Sequence, residues 1–117
     1  MKLYSLAVVA ALATALTVVG GAAARPAAVT ATTVRVTAKD FSFRLSTKTV
    51  RHGRVTFVVK NGGATTHNFE IAGRKSKMIR PGKTTSLTVT LKRGRWPYKC
   101  TVDSHAELGM KGVLRVT

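Results

Sequence analysis

The sequence predicts an all-β protein, a Greek-key β-sandwich of seven to eight strands. Two observations support this prediction. Apolar and polar residues alternate through most of the chain after residue 30, and turn sequences such as NGG at 61–63 and RPGK at 80–83 separate the alternating runs. With 117 residues, the chain has room for one domain. Short strands at regular spacing are typical of antiparallel sandwiches.

Seven segments with a period of two account for the predicted strands. The clearest is 54–59, in which Val55, Phe57 and Val59 fall on one side of the strand. The full set is 33–38, 41–45, 54–59, 67–71, 86–91, 95–100 and 112–117. Lysine and arginine alternate with the apolar residues, so we expect much of the positive charge on the outer faces of the sheets.

The N-terminal segment, residues 1–24, has the pattern of a secretory signal peptide. Lys2 precedes an uncharged apolar run over 3–19, and small residues follow in an A-x-A-like pattern. The alternative is an uncleaved membrane anchor, because the run is about as long as the shortest spanning helices. We expect an exported protein, periplasmic or extracellular, with residues 25–32 as a flexible leader and residues 33–117 as the folded domain.

The chain is strongly basic. Its net charge is +16, and loss of Lys2 with the signal leaves 19 lysines and arginines against four acidic residues, a net charge of +15. The acidic residues are Asp40, Glu70, Asp103 and Glu107. Such a charge favours encounter with an acidic protein, an anionic membrane or a cell-wall polymer. Nucleic acid is not expected, because the chain is exported and lacks aromatic residues interleaved with the basic ones.

Cys100 is the only cysteine, which is unusual in an exported chain, where cysteines generally occur in pairs. His105 follows five residues later and Met110 five residues after that. Trp96, Tyr98 and Cys100 share one face of a predicted strand, so the sulfur should point toward the core. The polar segment after it forms a loop held by strands at both ends, which is a good place for ligands.

Thiolate, thioether and imidazole together favour copper. Two histidines and one cysteine with a long axial methionine form the arrangement of blue-copper sites. The second histidine has to come from elsewhere. His67 opens a strand directly after a glycine turn, whereas His52 lies in a hairpin turn between two arginines. A strand that begins beside the loop presents a ligand better than a cationic hairpin tip, so His67 is the favoured ligand and His52 the alternative.

Three segments resemble those of small single-domain cupredoxins, the family of plastocyanin, azurin, auracyanin and rusticyanin. They are THNF at 66–69, MIRPGKTTSLTVTLKRGRWPYKC at 78–100 and CTVDSHAELGMKGVLRV at 100–116. The spacing Cys-x4-His-x4-Met is most similar to that of auracyanin and rusticyanin. The resemblance implies one type 1 copper ion, with His67, Cys100 and His105 as equatorial ligands and Met110 as the axial ligand.

The resemblance also implies supporting residues. Asn68 is expected to form hydrogen bonds near Thr101 and to turn its amide toward the thiolate sulfur, which would hold the ligands and tune the potential. Many relatives have Pro-Gly between the cysteine and the second histidine, whereas this chain has Asp103 and Ser104. An acidic residue there is expected to favour the oxidised ion slightly.

The function that follows is a one-electron carrier, not an enzyme. In relatives the second histidine reaches the surface through an apolar patch, which here would comprise Ala106, Leu108, Gly109 and Met110 around His105. We expect a monomer that docks on a redox protein with an acidic surface. The alternative function is copper binding for homeostasis or resistance, although the part after the signal has two methionines and no histidine-rich tract.

Other chemistries fit the sequence poorly. A binuclear purple copper site needs two cysteines, and multicopper oxidases place histidines on both sides of the cysteine, where this chain has Lys99 and Thr101. A catalytic metal keeps a position open for substrate, and four protein ligands would leave none. A thiol nucleophile with His105 as its base lacks an orienting carboxylate and leaves Met110 without a role.

Overall fold

The computed structural model describes residues 30–117, together with 2–3, 11 and 13–15, and the described part is all-β. Its nine strands are β1 (Thr32–Lys39), β2 (Ser42–Leu45), β3 (Thr49–Val50), β4 (Gly53–Asn61), β5 (Glu70–Ile71), β6 (Arg74–Lys75), β7 (Thr84–Leu91), β8 (Gly94–Lys99) and β9 (Lys111–Val116). The β-sandwich prediction is confirmed. The additional strands, β3 and β6, have two residues each, which is too short for a period to appear in the sequence.

The strands form two sheets, one in the order β2-β1-β4-β7 and the other in the order β3-β9-β8-β5-β6. Both are mixed, because β1 runs parallel to β4 and β3 runs parallel to β9, while the other pairs are antiparallel. The sequence had indicated an antiparallel sandwich, and two of the seven strand pairs in the described part are instead parallel. Alternation reports which side chains are buried and carries no information on the direction of the neighbouring strand.

The core lies between the two sheets and follows the predicted alternation. Val55, Phe57 and Val59 on β4 are fully buried, because they lie on the side of their sheet that faces the core. The ring of Phe57 lies 5.0 Å from that of Phe69, which stacks on Tyr98 at 5.5 Å. Each such side chain contributes about 1.5–3 kcal/mol through burial. This packed interior fixes the strand ends from which the site is built.

The basic residues lie outside this core. Every lysine and arginine within 30–117 is exposed, as the alternation predicts. The predicted signal at 1–24 and most of the leader at 25–32 fall outside the described residues. Within the described residues, no helix has the length and apolar character needed to span a membrane.

Candidate metal centre

His67 is positioned by the connection that follows β4. Its backbone N–H donates to the carbonyl of Ile79 at 3.1 Å, and the Ile79 N–H donates to its carbonyl at 2.7 Å, so the two residues form an isolated β-bridge. The imidazole is fully buried, with 0% of the residue exposed. This short bridge holds the ring just before β5, which forms the last two residues of the strand predicted over 67–71.

Asn61 organises the same connection from inside the protein. Its Nδ2 donates to the carbonyls of Thr65 at 2.8 Å and Ile79 at 2.7 Å, and its Oδ1 accepts the N–H of Gly63 at 2.9 Å. The side chain is fully buried and all its polar atoms are paired. Asn61 therefore takes the place of strand partners that the loop lacks, and it fixes the path of the chain toward His67.

Cys100 and Met110 form the two ends of the second connection, between β8 and β9. The Cys100 N–H donates to the Met110 carbonyl at 3.0 Å, and the Met110 N–H donates to the His105 carbonyl at 3.1 Å. Asp103 adopts a left-handed φ of 38°, a conformation that aspartate tolerates better than most residues. Turn hydrogen bonds thus shape the loop around Asp103 and Ser104.

The side chains of His67, Cys100 and His105 converge at one buried point. Nδ1 of His67 lies 3.1 Å from Nδ1 of His105, and Sγ of Cys100 lies 3.7 Å from Nδ1 of His105. The three ligand atoms are all within 4.8 Å of one another. The sequence separation of 33 residues between the first two shows that the fold, and not a local motif, brings them together.

These distances fit a shared ion. Two imidazole nitrogens bound to one ion at about 2.0 Å lie about 3 Å apart at an angle of roughly 100°, and a sulfur at about 2.3 Å lies about 3.7 Å from such a nitrogen at roughly 120°. Two imidazoles and a thiolate in a near-trigonal set suit copper. The three buried donors are therefore arranged as a metal site.

The other predicted site residues, Met110, Asn68 and Thr101, lie close to the donors along the chain. Met110 is fully buried, and its carbonyl accepts the Cys100 N–H at 3.0 Å. Asn68 Nδ2 donates to Oγ1 of Thr101 at 2.6 Å, and Oδ1 of Asn68 accepts the Thr101 N–H at 2.7 Å. This pair of hydrogen bonds ties the residue after one ligand, His67, to the residue after another, Cys100. His52 lies apart, with Nδ1 3.0 Å from the carbonyl of Thr117.

Asp40, which the sequence did not indicate as part of the site, contacts a ligand directly. Its Oδ1 lies 2.7 Å from Nε2 of His67, and its Oδ2 accepts the Ala64 N–H at 2.9 Å. The Ala64 hydrogen bond is the largest influence on the pKa of Asp40, and together with those from His67 and Thr65 it outweighs partial burial and lowers that pKa from 3.8 to about 2. The carboxylate is ionised at neutral pH.

The two histidines differ in their access to solvent. His105 is 9% exposed, and its Nε2 forms no hydrogen bond within residues 30–117. Since every buried side-chain nitrogen and oxygen in that range has a partner, this nitrogen faces solvent. Leu108, three residues after His105, is 59% exposed, but Met110 is fully buried and does not contribute to the predicted apolar surface patch. Phe41, which the sequence did not indicate as part of the site, packs against His105, with the two ring centroids 4.9 Å apart.

The fold and the site define the class of protein. A model of the cupredoxin-like domain family matches residues 6–116, and the chain therefore belongs to this family. The resemblance seen in the sequence is confirmed. No curated protein matches the sequence. One copper ion is the cofactor that the family and the His67, Cys100 and His105 cluster support.

Solved structures of two auracyanins and an azurin are similar to the chain. Dithionite-reduced auracyanin from the photosynthetic bacterium Roseiflexus castenholzii has 25% identity and a TM-score of 0.65, with 74% of this chain and 98% of that chain covered. Auracyanin A, a blue copper protein of Chloroflexus aurantiacus, has 21% identity and a TM-score of 0.63, over 75% and 100% of the two chains. An azurin of Methylomonas sp. strain J has 15% identity and a TM-score of 0.60, over 75% and 99%. The last two show the shared fold.

Proposed function

We propose that the protein is an exported type 1 (blue) copper protein that carries single electrons between redox partners. One observation carries this proposal: two imidazole nitrogens and a thiol sulfur converge at a buried point, and one of the two imidazoles extends from there to solvent. A buried site with one exposed ligand edge suits electron transfer, because an electron needs no channel to the ion. Catalysis would require an opening through which a substrate reaches the ion. The sulfur, on a residue that is 1% exposed, is also poorly placed for a thiol nucleophile.

The proposed ligands are His67, Cys100 and His105 in the equatorial positions and Met110 in the axial position. Copper, when bound, supplies a one-electron change between Cu(II) and Cu(I). The surrounding chain excludes water and holds the donors on two connections that are each closed by backbone hydrogen bonds. Asn68 links these connections, and we propose that its amide faces the sulfur. Fixed donors keep the geometry similar in both oxidation states, so little rearrangement opposes the transfer.

Electrons would enter and leave through His105. The loop that carries His105 also carries Ala106, Leu108 and Gly109, which we propose form the apolar surface around its Nε2, and Leu108 is the most exposed apolar side chain of the loop. An apolar surface around a ligand edge allows a partner to approach closely without desolvating charges.

Repeated redox cycling tests this function against copper handling. We expect the copper-loaded protein, reduced with ascorbate and reoxidised with ferricyanide in the presence of a Cu(I) chelator, to regain its visible band in each cycle, because all the donors are buried. The control is Cu(II) salt without protein, which should pass to the chelator in the first reduction. If the protein also gives up its copper in the reduced state, it delivers copper and the electron-carrier proposal is wrong.

The proposed redox partner has an acidic docking surface, and the protein itself is proposed to act as a monomer in the periplasm or outside the cell. Support comes from the exposed lysines and arginines and, for export, from the signal-like pattern of residues 1–24. An anionic membrane or cell-wall polymer would be attracted by the same charge.

Salt should therefore change the electron-transfer rate in a direction set by the charge of the partner. We expect oxidation of the reduced protein by ferricyanide, an anion, to slow several-fold between roughly 10 mM and 500 mM salt, because screening removes the attraction. Oxidation by a cationic cobalt(III) phenanthroline complex should speed up or stay constant. Stopped-flow absorption measures both rates, and equal salt responses for the two oxidants would exclude steering by the basic surface.

A further inference from the structure

A carboxylate lies on the far side of the His67 ring from the metal-facing atoms. Nδ1 of His67 points toward Nδ1 of His105 at 3.1 Å, whereas its Nε2 meets Oδ1 of Asp40 at 2.7 Å. The same ring therefore connects the donor cluster to a negative charge. Asp40 comes from the end of β1, far from the ligands in the sequence, and its side chain is 25% exposed.

This contact fixes the tautomer of His67. An ionised carboxylate only accepts hydrogen bonds, so Nε2 has to carry the proton and Nδ1 keeps its lone pair for the ion. His105 has no equivalent restraint within the described chain, since its Nε2 faces solvent. The two imidazoles are thus in different environments: Nε2 of one contacts a carboxylate, and Nε2 of the other faces solvent.

The carboxylate is itself held in place. Its Oδ2 accepts the Ala64 N–H at 2.9 Å, and its Oδ1 accepts the Thr65 hydroxyl at 2.9 Å in addition to His67. A Cβ atom on Gly63 would overlap Oδ1 of Asp40, so the second glycine of the NGG turn leaves the space that the carboxylate occupies. The chain from Gly63 to His67 therefore wraps around a single acidic group.

We propose that Asp40 is a positioning residue for the metal centre, which presents Nδ1 of His67 to the ion and lowers the reduction potential by stabilising the oxidised form. The inference rests on the proposed copper function. A carboxylate behind a ligating imidazole raises the basicity of that imidazole, and added negative charge favours Cu(II) over Cu(I). The sequence suggested a similar effect for Asp103, but Asp103 is exposed in the loop, so we expect its effect on the reduction potential to be much smaller.

The reduction potentials of Asp40→Asn and Asp103→Asn test the proposal. Both variants remove one negative charge near the site, but only Asp40 touches a ligand. We expect Asp40→Asn to shift the equilibrium toward Cu(I) by about tenfold or more, which corresponds to about 59 mV for one electron. Asp103→Asn should shift it by about twofold or less, since an exposed charge is screened by water. Equal shifts in the two variants would overturn the proposal.

Two further measurements separate this inference from the copper function. Nitrogen-15 NMR of the metal-free wild type should show His67 with its proton on Nε2. A proton on Nδ1 would overturn the assignment even if copper binds normally.

The second measurement is the reduction potential of Gly63→Ala, in which the added methyl displaces the carboxylate without removing it. The potential should rise, as in Asp40→Asn, and an unchanged or lower potential would count against the proposal. Failure of the wild type to bind copper would instead contradict the proposed function.

Discussion

Replacement of Cys100 by serine is expected to abolish the intense visible absorption of the copper-loaded protein together with its type 1 electron paramagnetic resonance signal. Both signals require a thiolate bound to Cu(II), and a serine oxygen is a hard donor that copper binds weakly in its place. The substitution is nearly isosteric at a site that is almost fully buried, and the His105 Nδ1 only 3.7 Å away offers the new hydroxyl a partner. The fold should therefore survive while the site is lost.

The measurement is a titration of the metal-free protein with Cu(II), followed by absorption and paramagnetic resonance at one equivalent. His52→Ala is the matched control, because His52 is exposed and lies outside the donor cluster. This variant should give the wild-type spectrum. A pale signal in the wild type that persists in Cys100→Ser would show that copper binds elsewhere, and the type 1 assignment would then fail.

Replacement of Asn61 by alanine is expected to destabilise the protein by about 3 kcal/mol, because it deletes three hydrogen bonds from the interior. The Gly63 N–H and the Thr65 and Ile79 carbonyls lose this partner, and a small cavity opens. The connection that carries His67 also loses its internal support, so we expect copper binding to weaken as well.

Urea denaturation of the metal-free protein measures this loss of stability without any contribution from the ion. Thr90→Ala serves as the control, since Thr90 is exposed on β7 and its replacement should change the free energy of unfolding by about 0.5 kcal/mol or less. A change below about 1 kcal/mol in Asn61→Ala would mean that water or a shifted loop replaces the lost hydrogen bonds.

The sequence predicted the strands well where they are long and half-buried. β4 and β7 alternate strictly, so the period identified both the strands and their buried residues. The direction in which neighbouring strands pair could not be predicted, because Val34 and Val36 of β1 would be buried in the same way next to a parallel or an antiparallel strand. β3 and β6 were missed for a different reason: each has only two residues, and β6 lies within a basic segment whose exposed Arg74 and Lys75 show no alternation.

The donor cluster was predictable because its residues are rare in this chain. One cysteine, with a histidine and a methionine at fixed spacing, limits the combinations, and His52 was the only competitor of His67. Asp40 and Asn61 were not predictable on those grounds. Asp40 lies 27 residues before His67, and Asn61 belongs to a sequence that also reads as an ordinary turn, so only the packed structure reveals what they contact.

The parallel pairing of β1 with β4 has a consequence for how this site is inherited and redesigned. Parallel strands end at the same edge of a sheet, so Asp40, which follows β1, meets the segment that follows β4. If β1 ran antiparallel to β4, Asp40 would lie at the opposite edge, about 25 Å away, which is the length of an eight-residue strand. The environment of the ion is thus encoded partly in the first strand, outside the ligand loops. Loops transplanted onto another scaffold would bring the ligands but leave this carboxylate behind, and their copper would behave differently.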